Sequence, residues 1–496
     1  MSKSGVILAI DQGTTGTTTM IVNHSLKVLG SHNVEYRQIY PRPGWVEHSL
    51  SDIWDSTLKS IKMTLSKAKV SGKRIECIGI TNQRETVCFW SRKSGKPLAN
   101  AIVWQDRRTA AFCEHLKAKG LEATITKKTG LLIDPYFSAT KIKWALDNNA
   151  AVKSAERKGD LAVGTIDSYL IHKLTNGKAH ATEPSNACRT LLYNIETLQW
   201  DDELLKVFGV SSAILPHVLN SADNFGQTQS VMGLPDGIPI CGVLGDQQSA
   251  LLGQACVTPG TAKCTYGTGS FILLNTGTEI RRSTHRQLST IAWKFENITH
   301  YALEGGAFTA GAAIQWVRDG LGLIRNPEEI EKLASKVKTS DGVVFIPAFV
   351  GLGAPHWAPS ARASFSGITR GTNKYHLCRA VLEGISLMNH DILRAMEQDM
   401  KEPLKSLNVD GGASRNDLLM QIQANILGIK LIRPKMTETT AMGAVFAAGI
   451  GSRVWNSLEQ VNRAWKRDKI FSPTIAKMPK QLLLKNWEDA VHRLIK

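Results

Sequence analysis

The 496-residue sequence contains no Cys-x-x-Cys pair, no apolar run approaching membrane length, no Pro, Gly, Gln or Ser tract and no G-x-x-x-x-G-K-[ST] phosphate loop. Each absence excludes a class. The eight cysteines, at 77, 88, 113, 188, 241, 256, 264 and 378, follow no regular spacing, so neither a disulfide framework nor a zinc site is indicated. Reduced, buried thiols are the expectation. The richest apolar stretch, TTAMGAVFAAGIG from Thr439 to Gly451, falls short of the roughly 20 residues of a membrane span and is crowded with Ala and Gly. It reads as a tightly packed buried helix, and no stable membrane insertion is expected. Near the N-terminus the apolar run Val6 to Ile10 is stopped by Asp11, too soon for the core of a secretory signal, so a cytoplasmic location is expected.

Acidic residues are also in deficit, 43 Asp and Glu against 60 Lys and Arg, a formal charge of +17. The basic residues are scattered through KSIKMTLSKAKVSGKR and HLKAKGLEATITKK, which read as solvated helix faces rather than one stripe. No nucleic-acid partner is expected.

What is present is α/β patterning on a chain too long for one ordinary core, hence two domains. Strand-like runs IECIGIT, DLAVGTI, VVFIP and SLNVD alternate with helical patterns. The longest of these, Lys374 to Met400, carries Leu377, Val381, Ile385, Met388 and Ile392 at spacings of three or four. A strand, Gly/Thr turn and strand at the start, ILAIDQGTTGTTTMIV, recur as TAKCTYGTGSFILLN halfway along. Each half would open with the same hairpin, giving domains 1–253 and 254–496.

Threonine hydroxyls and glycine N–H groups in such a bend suit phosphate oxygens, and Asp11 at the first strand's end suits an accompanying Mg²⁺. YGTGSF lacks the last glycine of a dinucleotide fingerprint, so a Rossmann site is disfavoured. In LNVDGGASRNDLLMQIQANILG, Gly411 and Gly412 lie between a strand and a helix that Asn416 or Asp417 begins, which would let a ligand approach the positive helix end. GITNQRETVCFW places Arg84 and Glu85 after a strand that should be buried, where charge needs a partner or a ligand. A surface ion pair is the plainer alternative there. With Trp104 and Tyr136 these residues offer donors, acceptors and aromatic walls for a small polyol. Asp246, in ICGVLGDQQSALLGQ, is placed for a general base, or else caps the turn after its strand.

DQGTTG, PGWVEH, ITNQRET, DPYFSATKIKW, GDQQSAL, YGTGSF and VDGGAS, in this order, resemble the marks of the glycerol kinases, and ASFSGITRGTNKYHLCRAVLE resembles the C-terminal signature of their wider family. These belong to the carbohydrate kinase family related to actin, hexokinase and the Hsp70 ATPase. The likeness runs essentially end to end. It implies two ribonuclease-H-like (actin-like ATPase) domains facing an interdomain cleft that closes over MgATP and glycerol. By that resemblance Arg84, Glu85, Tyr136, Asp246 and Gln247 bind glycerol hydroxyls, and Trp104 and Phe271 pack on its carbons. Thr14, Thr15, Gly16, Thr268, Gly311, Gln315, Gly412 and Asn416 meet ATP or ADP, Asp11 serves Mg²⁺, and Asp246 is the catalytic base.

A homodimer and a homotetramer both stay open as assemblies. Thr18 stands where many members carry an arginine, removing a basic phosphate contact. NFGQTQSVMGLPDGIPI holds neither arginine nor histidine, so control by a sugar bisphosphate or by histidine phosphorylation is not expected. The competing readings are a pentulose or gluconate kinase, which would need a roomier site without the Arg84–Glu85 pair, and a catalytically inactive ATP-binding actin-like protein.

Overall fold

The computed structural model describes residues 5–460, 465–474 and 477–495. Its first sheet is built from β1 (Val6–Gln12), β2 (Gly16–Asn23), β3 (Val28–Glu35), β4 (Ile75–Asn82) and β5 (Ile240–Gly245), in the order β5-β4-β1-β2-β3. β1 runs antiparallel to β2 and parallel to β4, and β4 is parallel to β5. Helix α1 (Leu50–Ala68) covers β2 and β3 with Leu50, Ile53, Thr57, Ile61 and Thr64, a 3.6-residue stripe, and Ser49 caps it by accepting the Asp52 N–H. The apolar run of β1 is continuous rather than alternating because both faces of the strand are buried.

After helix α2 (Asp246–Gly253) come β6 (Ala262–Tyr266), β7 (Ser270–Gly277), β8 (Leu288–Phe295), β9 (Ile298–Ala307) and helix α3 (Gly311–Asp319). Helix α4 (Lys374–Met400) covers the second sheet, which β10 (Ser406–Asp410), β11 (Lys430–Pro434) and β12 (Arg467–Phe471) complete; helix α5 (Asp417–Leu427) joins β10 to β11. The order is β8-β9-β7-β6-β10-β11-β12. Its inner five strands repeat the first sheet: an antiparallel hairpin, a third antiparallel strand, and two parallel strands on the other side. The expected pair of ribonuclease-H-like sheets is therefore present, the second widened by β8 and β12.

Helix α6 (Thr439–Gly451) is buried as expected, and it lies against β1, β4 and β5 of the first sheet although it follows the second sheet's core strands in sequence. Its small residues permit backbone contact. A Cβ on Gly79 would stand 2.2 Å from the Ala444 carbonyl oxygen, and one on Gly443 would stand 1.9 Å from that of Ser249. All eight cysteines are buried, three of them, Cys77, Cys241 and Cys256, in the cluster that α6 shares with the first sheet. The carboxyl ends of β1, β4 and β5 lie in register, Gln12 beside Asn82 and Asn82 beside Gly245, which brings Asp11, Arg84 and Asp246 to one edge.

Candidate active site

The first Gly/Thr bend, between β1 and β2, is held by side chains. The Tyr36 hydroxyl lies 2.6 Å and 2.8 Å from the carbonyl oxygens of Gly13 and Thr14, and Gln38 Nε2 donates to Thr14 at 3.0 Å. Gln83 Nε2 and Gln12 Nε2 donate to Gly13 at 3.1 Å and 2.9 Å. Thr14 Oγ1 accepts from Trp104 Nε1 at 2.9 Å, tying the bend to an aromatic wall in which Trp104 meets Tyr136 and Phe271 edge to face. Thr15 is exposed at the tip, and Thr18 accepts from Asn33 Nδ2 on β3. A Cβ on Gly16 would touch Val34 O at 3.0 Å, so bulk is excluded there.

Arg84 and Glu85 are buried, which rules out the surface ion pair, and they do not pair chiefly with each other: Arg84 Nε is 3.8 Å from Glu85. Arg84 instead makes a two-pronged contact across the cleft with Glu304 on β9, at 2.6 Å and 2.9 Å, and donates to Gln248 at 3.1 Å and Tyr136 at 3.3 Å. Glu85 accepts from Arg189 Nε at 2.6 Å, and Arg189 also reaches Glu304 at 2.9 Å. The two guanidinium groups hold the Glu304 carboxyl down at about 2 against the opposing cost of its burial. Two donors in this network, Arg84 Nε and Arg189 Nη1, are buried without a hydrogen-bond partner in the protein, an arrangement suited to a hydroxyl ligand. Lys141 braces the neighbouring turn by donating to the carbonyls of Pro135, Tyr136 and Phe137.

Asp246 opens α2, keeps 28% of its side chain exposed, and lies 3.3 Å from Arg84 Nε. Burial raises its pKa, while Arg84 and Lys263 oppose the rise. Its Oδ1 also accepts the Gln247 N–H at 2.7 Å within the first turn of α2, whose N-cap is Gly245. Gln247 Oε1 accepts from Lys263 Nζ.

Backbone groups hold the second bend. The Gly267 carbonyl accepts from Gly311 N–H at 3.0 Å, and that of Thr268 accepts from Ala310 and Ala312 at 2.8 Å and 3.1 Å. Thr268 is exposed on the bend and Gln315 on the second turn of α3. Gly411, at φ +83°, packs its Cα on the Tyr266 carbonyl, and a short turn, Gly412–Arg415, stands between it and α5. Asn416 caps α5 by accepting Leu419 N–H at 2.8 Å, and its Nδ2 is a buried donor without a partner.

Asp11, Thr265, Asp410, Gly411, Gly412, Arg415, Thr437, Glu438, Thr439 and Thr440 line a cavity of about 300 Å³ between the two sheets. The Asp11 carboxyl is pushed up to about 8, first by burial and then by the carboxylates of Asp246 and Glu438. Such crowded negative charge suits a cation. Among the described residues no three His, Cys, Asp or Glu side chains are grouped to hold a metal. One carboxylate with water and phosphate is the manner in which Mg²⁺ is usually held. The residues fit that ion.

Sequence reasoning missed Glu304, Arg189, Lys263, Gln248, Asp410 and Glu438. Three of them left a trace: Glu304 in YALEGG, Arg189 in NACRTLLY and Lys263 in TAKCTYG are lone charges inside buried apolar runs.

Residues 6–253 match the N-terminal domain, and residues 262–452 the C-terminal domain, of the FGGY family of carbohydrate kinases. The chain is 52% identical to a glycerol kinase of Bdellovibrio bacteriovorus, with both chains covered in full. It is 50% identical to one of Myxococcus xanthus, over 99% of this chain and 100% of the relative. The crystal structure of Plasmodium falciparum glycerol kinase with ADP superposes with a TM-score of 0.92 at 38% identity, covering 99% of each chain. A gluconate kinase from Lactobacillus acidophilus shares the fold, with a TM-score of 0.89 at 23% identity over 99% of this chain and 98% of its own. No helix among the described residues is long and apolar enough to cross a membrane.

Proposed function

The chain belongs to the FGGY family of carbohydrate kinases, and from that premise we propose that it transfers the γ-phosphoryl group of ATP to glycerol, giving sn-glycerol 3-phosphate and ADP. The observation that carries this reading is that Asp246 lies 3.3 Å from Arg84 Nε and also acts electrostatically on Asp11, and so stands between two differently built spaces. On one side lies the buried Arg84, Glu85 and Tyr136 cluster with its Trp104 and Phe271 wall; on the other, the cavity lined by Asp11 and Gly411-Gly412. A group that must touch both a hydroxyl and a phosphate belongs at that junction.

In this reading Arg84, Glu85, Tyr136 and Gln247 hold glycerol hydroxyls, with Arg84 Nε, ion-paired with Asp246 but in no hydrogen bond, as one donor. Trp104 and Phe271 cover the carbons and exclude water. Asp246 takes the proton of the attacking hydroxyl, and burial, which raises its pKa from the ordinary aspartate value, makes it a stronger base than a surface aspartate. Thr14, Thr15, Gly16 and Thr268 meet the phosphates from the two bends, and Gly311, Gln315, Gly412 and Asn416 meet the rest of the nucleotide. Asn416 Nδ2 is available for that contact. Asp11 would hold Mg²⁺, which supplies charge compensation on the phosphate oxygens when bound. With its buried thiols and no membrane-spanning helix among the described residues, the protein is suited to the cytoplasm.

The test is a coupled ADP-release assay with glycerol, xylulose, gluconate or no acceptor. Turnover with glycerol well above the other three is expected. Equal or greater turnover with xylulose or gluconate would reassign the substrate, and ATP hydrolysis that ignores glycerol would remove the polyol from the mechanism.

A further inference from the structure

Lys263 is fully buried on β6 and forms no ion pair with any described residue. Burial pulls its pKa down, while the carboxylates of Asp410 and Asp246, which it faces without touching, act the other way. Apart from Gln247 Oε1, its partners are Thr265 Oγ1 at 3.0 Å and the Phe271 carbonyl at 3.4 Å. Lys141, the comparable buried lysine, is held by three backbone carbonyls of one turn and reads as a brace. Lys263 instead bridges from the second sheet to a side chain of the cleft. It lies on the same face of β6 as Thr265, which lines the cavity with Asp11, and on the strand it stands opposite Leu273 and Asn408.

An ammonium only donates, so the amide atom it touches must be the oxygen of Gln247, and the orientation of that carboxamide is fixed. Its Nε2 is taken by no described residue and remains for a ligand. Gln247 adjoins Asp246, where the attacking hydroxyl gives up its proton in the reading above.

We propose that Lys263 is a positioning residue for the phosphoryl acceptor: by holding Gln247 Oε1 it presents Nε2 to the oxygen lone pair of a polyol hydroxyl beside the one that Asp246 deprotonates. The lysine thus acts through Gln247 and touches neither substrate. This inference rests on the glycerol reading and adds to it a residue that neither bend contains. A site so arranged accepts a hydroxyl oxygen there and disfavours a cationic amine, which has no lone pair to offer.

The experiment compares glycerol and ATP kinetics of K263M, K263Q, Q247A and the K263M/Q247A double variant, with melting temperatures on the same preparations. Loss of one well-placed hydrogen bond predicts a glycerol KM raised by about tenfold in K263M and K263Q, with the ATP KM within about twofold. Q247A should add less than about twofold on the K263M background, because the two residues act as one unit. Melting temperatures show that each variant is folded, and the split between the glycerol KM and the ATP KM carries the test, because K263M and K263Q both remove a positive charge that faces Asp246 and Asp410. A merely structural lysine gives the opposite pattern: a glycerol KM within about twofold of the parent, and a full Q247A penalty in both backgrounds. That pattern overturns the proposal, and K263Q decides alone if K263M does not fold. A parent without glycerol-dependent ADP release refutes the glycerol reading itself, whereas an active parent with kinetically silent Lys263 variants refutes only the role of Lys263.

Discussion

At the first bend the carbonyls of Gly13 and Thr14 accept from side chains, those of Tyr36, Gln38, Gln12 and Gln83, whereas at the second the carbonyls of Gly267 and Thr268 accept from backbone N–H groups at the start of α3. The two hairpins occupy equivalent places in the first sheet and in the inner five strands of the second. One hairpin plan is thus supported in two physical ways. Side-chain support makes the first bend sensitive to protonation and ties it, through Trp104, to the polyol wall. Backbone support makes the second depend on the absence of side chains, at Gly411 above all.

The largest effect expected from this contrast is steric. In Gly411→Ala the new Cβ would stand 2.4 Å from the Tyr266 carbonyl at φ +83°. Left-handed strain and forced repacking together cost on the order of 3 kcal/mol, read by chemical denaturation. A loss below about 1 kcal/mol would mean that the second bend yields easily and that the contrast is weaker than drawn.

The next is electrostatic and belongs to the first bend. His48 binds Gln38 Oε1 at 2.7 Å and packs edge to face on Tyr36, and burial pushes its pKa down to about 4. Its folded value lies below the usual 6.5, so the unfolded chain takes up the proton first. The stability this group contributes is complete above pH 6.5 and is lost as pH falls toward 4. By pH 5 the loss amounts to about 2 kcal/mol. Denaturation of parent and His48→Gln at pH 7.5 and pH 5 should show the variant losing less stability on acidification. Parallel losses would detach the first bend from this histidine.

The smallest effect is on coupling. Trp104→Phe keeps an aromatic wall but removes the donor to Thr14 Oγ1. One neutral hydrogen bond is worth about 1 kcal/mol, so the ATP KM should rise about fivefold. A change confined to the glycerol KM would show that the tryptophan serves the polyol wall alone.

Both hairpins, the long helix Lys374–Met400 and the buried small-residue helix were legible from residue spacing, because local periodicity and turn chemistry decide them. The docking of α6 on the first sheet was not legible, since its glycine-to-backbone contacts join segments far apart in sequence. The site divides in the same way. Arg84, Glu85 and Asp246 sit at strand ends, where charge after an apolar run draws notice. Glu304 completes Arg84 from 220 positions away, and Arg189 completes Glu85 from 104, which no local window reveals. The Arg84–Glu85 dipeptide looked like a pair, and the structure gives each residue a different partner.

The account turns on Asp246 as the group that joins the two spaces, and Asp246→Asn tests it most directly. The amide keeps the shape and can still bond a hydroxyl, but it accepts no proton at neutral pH. A positioned general base is worth on the order of 10² to 10⁴ in rate. On one folded preparation, kcat for glycerol phosphorylation should fall by at least about a hundredfold while calorimetric glycerol affinity stays within about fivefold of the parent. A kcat within about fivefold of the parent, with lost thermal stability of about 1 kcal/mol, would make Asp246 a helix-terminus residue only and contradict the account.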